Sequence, residues 1–328
     1  MTKDESEKNG QSNFADMSVN IAGVNFRNPV IAASGTFTTT SNDAQSSSCD
    51  YSKLIDISLL GGICTKGLTM SPRTGNRGIR IWETPGGLLN SIGLENKGIV
   101  SFLENDLPYL SNLGPVIIAN LSGGDSAEYV KGASLLNESS VHMIELNISC
   151  PNVKAGGMIF GLDPGTAAAL VAAVRRVCTH KPLIVKLSPN CPSLSSVALA
   201  CIRAGADGFS LVNTIKAMAI DVVNRKPVFD YITAGLSGPA IKPIAIRMVW
   251  ELYEALNDAK LQTPIIGLGG ITDTNDALEF LMAGASAIQV GSATFVNPHT
   301  MLDIIKGLHD YMITNNMSKI SYISIRDK

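Results

Sequence analysis

Eight short apolar runs, each ending in small or polar residues, limit what this chain can fold into. They occupy positions 30–34, 62–66, 116–121, 143–148, 183–188, 208–213, 264–269 and 287–292. Between the later runs lie helical patterns at 164–178, 194–204, 241–256, 273–283 and 300–311. Strands alternating with helices imply right-handed crossovers and a parallel sheet. Eight such strands point to a closed (β/α)8 TIM barrel. An open dinucleotide-binding sheet would carry GxGxxG after its first strand, and none stands there. Ahead of the first run, Val19, Ile21, Val24 and Phe26 around Gly23 read as a β-hairpin with one buried face, suited to closing the barrel's bottom.

The expected organisation is a polar leader over 1–17, disordered, a single barrel domain over 18–315, and a C-terminal tail over 316–328. Length alone would allow two domains, but barrels often run this long as one. An apolar fraction of 45% against 16% charged supplies a large core. A net charge of −2 with no basic block argues against nucleic acid as a partner. The leader lacks the apolar stretch of a signal peptide, and no later run is long enough to span a membrane, so the expectation is a cytoplasmic protein. Six cysteines without CxxC spacing and four scattered histidines fit no disulfide framework, cluster or metal site.

In a barrel, functional groups gather at the C-terminal strand ends and in the loops that follow. Those ends are Ser34, Lys66, Asn120, Asn147 with Cys150, Lys186, Asn213 with Thr214, Gly269-Gly270, and Gly291-Ser292. A core would not need two lysines and three asparagines at one rim. An unpaired buried ammonium costs several kcal/mol, so both lysines are expected to face an anionic or polar ligand. The glycine-rich turns after the last two strands read as a phosphate cradle with helix N-termini behind them. The plainer reading gives those glycines to tight turns alone. Cys150 follows the fourth strand within Asn147-Ile148-Ser149-Cys150-Pro151-Asn152-Val153-Lys154. A thiol there faces whatever the loop encloses, although free cysteines are often simply buried. Two longer connections, 69–97 and 215–240, are expected to wall the barrel mouth, with Asn90 and Ser91 contributing polar groups.

Taken in order, these segments resemble the class 1 dihydroorotate dehydrogenases. The matching pieces are Ala33-Ser34-Gly35, Thr65-Lys66-Gly67, Asn90 to Leu94, Asn120, Asn147 to Lys154, Val185-Lys186-Leu187, Val212-Asn213-Thr214, Gly235 to Pro243, Gly269-Gly270 and Gly291-Ser292. Glu83-Thr84-Pro85-Gly86-Gly87 and the Cys150 to Gly157 stretch resemble the NAD-linked type B branch more than the fumarate-linked type A branch. One departure is Thr36-Phe37-Thr38-Thr39-Thr40, where type B relatives have a glycine-rich continuation.

The resemblance implies one FMN per chain, held by Ser34, Thr36, Lys66, Gly67, Asn120, Asn147, Lys186, Val212, Gly238, Gly269, Gly270, Gly291 and Ser292. It implies Cys150 as the base, and substrate contacts from Lys66, Asn90, Ser91, Ile92, Gly93, Leu94, Asn147, Asn213 and Thr214. No metal is implied. Lys186 would be the cation beside the ring's N1–C2=O edge. The resemblance further implies a homodimer core with a partner subunit carrying FAD and a [2Fe–2S] cluster. Other readings are a type A-like enzyme, a dihydropyrimidine dehydrogenase-like barrel, a flavin-free sugar-phosphate lyase or isomerase, and a catalytically silent binding subunit.

Overall fold

Two three-residue strands, β1 (Val19–Ile21) and β2 (Val24–Phe26), form the expected hairpin. Its turn residues Ala22 and Gly23 both have positive φ, 49° and 88°, the twist that a two-residue hairpin needs. The computed structural model describes residues 15–37, 51–149 and 160–323. Residues 1–14 of the leader expected over 1–17, and Cys150 with positions 151–159, lie outside the described residues.

Further along the chain come β3 (Val30–Ala32), β4 (Gly62–Cys64), β5 (Ile81–Thr84), β6 (Gly87–Asn90), β7 (Val116–Leu121), β8 (Met143–Asn147), β9 (Leu183–Lys186) and β10 (Gly208–Leu211). After them stand β11 (Ile215–Met218), β12 (Ile220–Asp221), β13 (Lys226–Pro227), β14 (Thr233–Ser237), β15 (Ile265–Leu268) and β16 (Ala287–Val290). The barrel closes in the order β3-β4-β7-β8-β9-β10-β15-β16, with β16 pairing back to β3. All its pairs are parallel. Each of the eight apolar runs read from the sequence contains one of these strands.

The helices that follow the barrel strands include α1 (Ser126–Asn137), α2 (Pro164–Arg175), α3 (Leu194–Arg203), α4 (Lys242–Asp258), α5 (Thr274–Met282), the short α6 (Ala293–Val296) and α7 (Thr300–Thr314). Three begin at an aspartate whose carboxylate accepts from a backbone N–H three residues on. Asp125 caps α1 through Glu128, Asp163 caps α2 through Thr166, and Asp273 caps α5 through Asp276. No helix among the described residues is long and apolar enough to cross a membrane. The segment set apart as a tail turns back onto the body. Ile320 and Ile323 are buried in the main core, and the Ile320 amide donates to Asp16 O at 3.0 Å.

Strand periodicity of two divides the core. Outward-facing Ile117, Ala119 and Leu121 of β7, and Ile144 and Leu146 of β8, pack against the helices. Inward-facing Ile31, Ile118, Met143, Ile184, Ile266 and Ala287 form a separate cluster inside the barrel's lower half. Ile21 and Phe26 of the hairpin complete that cluster, which makes the hairpin a plug. Above the plug the inward positions turn polar.

The two long connections meet over the barrel's upper end. β5 and β6 from the first pair with β14 and β11 from the second, giving one antiparallel sheet in the order β11-β14-β6-β5. Leu89, Val228, Phe229 and Ala234 form its own small core.

Phe26 is 1% exposed, and a Cβ on Gly62 would come within 2.9 Å of its ring. Replacing Phe26 by Ala is expected to cost about 3–5 kcal/mol in urea unfolding, the usual range for emptying a filled aromatic site. A loss below about 1 kcal/mol would show that the hairpin does not plug the barrel.

Candidate active site

The barrel's C-terminal face and the antiparallel sheet enclose a cavity of about 400 Å3, within the usual size range of small-ligand sites. Ser34, Thr36, Lys66, Asn90, Ile92, Gly93, Leu94, Asn147, Lys186, Val212, Asn213, Thr214, Gly238, Gly269, Gly270, Gly291 and Ser292 all line it. Among the residues singled out from sequence, Gly67, Ser91 and Asn120 stand behind this wall. The Ser91 hydroxyl accepts from Asn76 Nδ2 at 3.0 Å, and its amide donates to Arg80 O. Asn120 is fully buried beneath the floor. Cys150 lies outside the described residues. Its predecessor Ser149 is buried and accepts from Asn213 Nδ2 at 2.8 Å.

Under the floor sits Glu145, with no exposed surface. It is the charged residue at the centre of β8, and by strand parity it faces inward with Met143 and Asn147. Five side chains from five other strands converge on its carboxylate. Oε1 accepts from Cys64 Sγ at 3.3 Å, Asn120 Nδ2 at 2.6 Å and Lys186 Nζ at 3.4 Å. Oε2 accepts from Ser210 Oγ at 2.7 Å and Gln289 Nε2 at 2.8 Å. Burial alone would push this carboxyl up. Lys186 and the hydrogen bonds from Ser210, Gln289 and Asn120 outweigh it and hold the group below the usual glutamate range. Burial, and then Glu145 itself, push the Cys64 thiol well up, so Cys64 stays protonated and donates.

An ionised carboxylate only accepts, so it dictates how its amide neighbours turn. Gln289 must present its NH2 group to Glu145, leaving Oε1 buried without a partner among the described residues, in a residue that lines the cavity. Asn120 likewise gives its NH2 to Glu145. Its oxygen accepts from Asn147 Nδ2 at 3.4 Å, and Asn147 Oδ1 in turn accepts from Ser149 Oγ at 3.1 Å. Ser149 accepts from Asn213, whose own oxygen takes the Thr214 amide at 2.8 Å. Polarity set at the floor thus runs to the rim without reversal.

At the mouth, Glu95 lies 3.1 Å from Arg80 and 4.0 Å from Lys66. Two cations share one carboxylate there, an excess suited to an anion. Burial draws the Lys66 amine below the usual lysine range, with Glu95 opposing and Arg80 reinforcing the shift. Each rim lysine therefore has a carboxylate partner within the chain as well as a face on the cavity. Arg80, Glu95 and Gln289 were not singled out from sequence. Gln289 carried a legible signal, as a lone amide within an otherwise apolar strand.

The two glycine turns differ. Gly269 and Gly270 have φ of 127° and 81°, and a Cβ on Gly270 would lie 2.8 Å from both Gly238 O and Lys242 Cβ. Glycine is required there by the backbone. At Gly291 a Cβ would meet nothing nearer than Ala33 Cβ at 3.5 Å, so the missing side chain leaves cavity space instead. Helix N-termini contribute less than the sequence implied. The start of α5 is already taken by its own carboxylates, Asp273 on the Asp276 amide and Asp276 on the Thr272 amide. Helix α6 is a single turn.

Comparison with known proteins places this geometry in a family. Residues 16–312 match the family described as dihydroorotate dehydrogenase. A protein of Petrotoga mobilis is 52% identical over 94% of this chain and 98% of its own length. One from Pelobacter propionicus is 48% identical over 93% and 96%, and one from Caldicellulosiruptor saccharolyticus 47% identical over 93% and 97%. Each of the three is named dihydroorotate dehydrogenase B (NAD(+)), catalytic subunit.

Because Glu145 is held below its ordinary range when folded, its contribution to stability is present above that range and is lost as pH falls through the folded value. Replacing Lys186 by Met strands the carboxylate and is expected to cost about 3–5 kcal/mol at neutral pH. With its cation gone, burial raises the carboxyl, so protonation relieves part of the loss in acid. Urea unfolding at pH about 7 and about 5 reads both effects. An equal loss at the two pH values would contradict an ionised Glu145.

Proposed function

The chain belongs to the dihydroorotate dehydrogenase family, and from that premise we propose that it oxidises (S)-dihydroorotate to orotate in pyrimidine biosynthesis. The observation that carries the reading is continuity. The matched region spans 16–312, and every residue lining the cavity falls inside it.

The cavity suits FMN. Lys186 offers a cation at the floor, Gln289 Oε1 offers a buried acceptor with no donor among the described residues, and Gly291 leaves space at the wall. Lys186, Asn147 and Gln289 would hold the polar ring, and the backbone of Gly269-Gly270 and Gly291-Ser292 the phosphate. Bound there, FMN supplies the acceptor for the hydride that leaves C6 of dihydroorotate.

The proton at C5 needs a base, and Cys150 is the residue we assign. Ser149, directly before it, is fixed by Asn147 and Asn213. A thiol with a pKa near about 8.5 is partly ionised at neutral pH, and nearby cations favour the thiolate. Lys66 and Arg80 give the mouth its excess positive charge, which suits the substrate carboxylate. Asn90, Asn213 and Thr214 provide amide and hydroxyl groups for the ring amides.

The relatives are named as catalytic subunits, and we extend that to this chain. Electrons would pass to NAD+ through a partner carrying FAD and a [2Fe–2S] cluster, docked on a homodimer core. The chain itself shows neither a dinucleotide fingerprint nor cluster-like cysteine spacing. Ile81 and Phe295 line the cavity yet are 52% exposed each, giving its mouth an apolar rim for a partner to cover. Steady-state assays test this reading. NAD+ reduction is expected only when the flavin–iron–sulfur subunit is added, and rapid fumarate reduction by the isolated chain would overturn the NAD-linked assignment.

Two variants test the site. Cys150→Ala is expected to retain FMN and slow flavin reduction by dihydroorotate about 10²–10⁴-fold in anaerobic stopped flow; an unchanged rate would move the base elsewhere. Gly291→Glu has room for its Cβ, so it is expected to fold and to place a carboxylate in the space assigned to the cofactor. It is expected to purify without flavin. Full FMN content in that variant would place the phosphate elsewhere.

A further inference from the structure

The convergence of five donors on Glu145 serves more than folding. We propose that Glu145 is a positioning residue that sets the charge and the hydrogen-bond polarity of the cavity floor, and so tunes how readily a bound flavin accepts electrons. The inference rests on the flavin reading given above.

Glu145 does not line the cavity, but two of its partners, Lys186 and Gln289, do. It acts on them in two ways. Through Lys186, 3.4 Å away, it places a compensating negative charge behind the floor's cation. Reduction brings electron density onto the flavin ring, so a buried carboxylate nearby opposes it and a bare ammonium favours it. Through Gln289 it fixes the amide, because a carboxylate cannot accept from the amide oxygen. Oε1 is thereby committed as an acceptor with no donor among the described residues, the group a ring N–H would meet. A network built only for stability would satisfy its own members. This one leaves an acceptor unsatisfied in a side chain of the cavity floor, and a buried polar atom without a partner is costly unless a ligand supplies one.

The test compares two variants whose electrostatic effects have opposite sign. Glu145→Gln keeps the shape and removes the charge. Ser210→Ala keeps the charge and removes one donor to Oε2, at a residue fully buried outside the cavity wall. FMN is bound to each, and its midpoint potential is measured by equilibration with reference dyes. Relative to wild type, the potential is expected to rise in Glu145→Gln and to fall, by less, in Ser210→Ala. A merely structural role would lower the stability of both without splitting the sign. If Glu145→Gln fails to fold, Ser210→Ala decides alone: a lowered potential supports the inference, and an unchanged or raised one overturns it. Variants that shift together, or not at all, while wild type holds FMN overturn this inference and leave the flavin reading standing. A wild-type protein that takes up no FMN overturns the flavin reading and this inference with it.

Discussion

A carboxylate with no exposed surface, at the centre of a parallel barrel, is tolerable only if its charge is answered on all sides. Glu145 is answered by Cys64, Asn120, Lys186, Ser210 and Gln289, so that six of the eight barrel strands meet at one group. Removing one partner of a buried ion pair commonly costs about 3–5 kcal/mol, whereas an apolar replacement of the whole set is often neutral or stabilising. Stability alone is therefore a weak reason for such an arrangement. What the carboxylate provides is direction. Gln289 and Asn120 cannot turn over, and the Asn147, Ser149 and Asn213 side chains follow in sequence to the rim.

This direction has its value in the setting of the fold. The hairpin plug with Phe26 fills the lower barrel with apolar side chains, so inward-facing polar groups concentrate in the upper half. The sheet formed by β5, β6, β11 and β14 then walls the upper end. Between plug and sheet lies a cavity whose floor carries a paired cation and a committed acceptor, and whose mouth carries two cations on one carboxylate. A planar cofactor with polar edges and an anionic substrate answer these two features separately. Burial of the floor pair strengthens its interactions relative to water, while the mouth cluster stays open to solvent.

Much of this was legible in the sequence, for physical reasons that also explain the gaps. A barrel strand buried on both faces reads as an apolar run, so all eight strands were visible, as was the hairpin through Val19, Ile21, Val24 and Phe26. The rim residues Lys66, Asn147, Lys186 and Asn213 were visible because strand ends in a barrel share one face. Glu145 is masked by its apolar neighbours in Met143-Ile144-Glu145-Leu146, although its parity with Asn147 marks it as inward-facing. Helix α1 was missed despite Asp125 with Glu128 three residues on, a usable capping signal. The antiparallel sheet over the mouth could not be read, because its strands come from two connections more than 100 residues apart and pair only once the barrel brings them together. That pairing is visible in the contact of Asn90 Nδ2 with Gly235 O, 145 positions on along the chain.

The polarity of the floor depends on Glu145 being ionised in the folded protein. Infrared titration of protein labelled with 13C at its glutamate carboxyls, with Glu145→Gln to assign the band, addresses it directly. The carboxylate stretch of Glu145 is expected to persist as pH falls through the ordinary glutamate range and to disappear only below it. A band that converts to the protonated acid within or above that range would contradict an acceptor-only Glu145, and with it the polarity assigned to the floor.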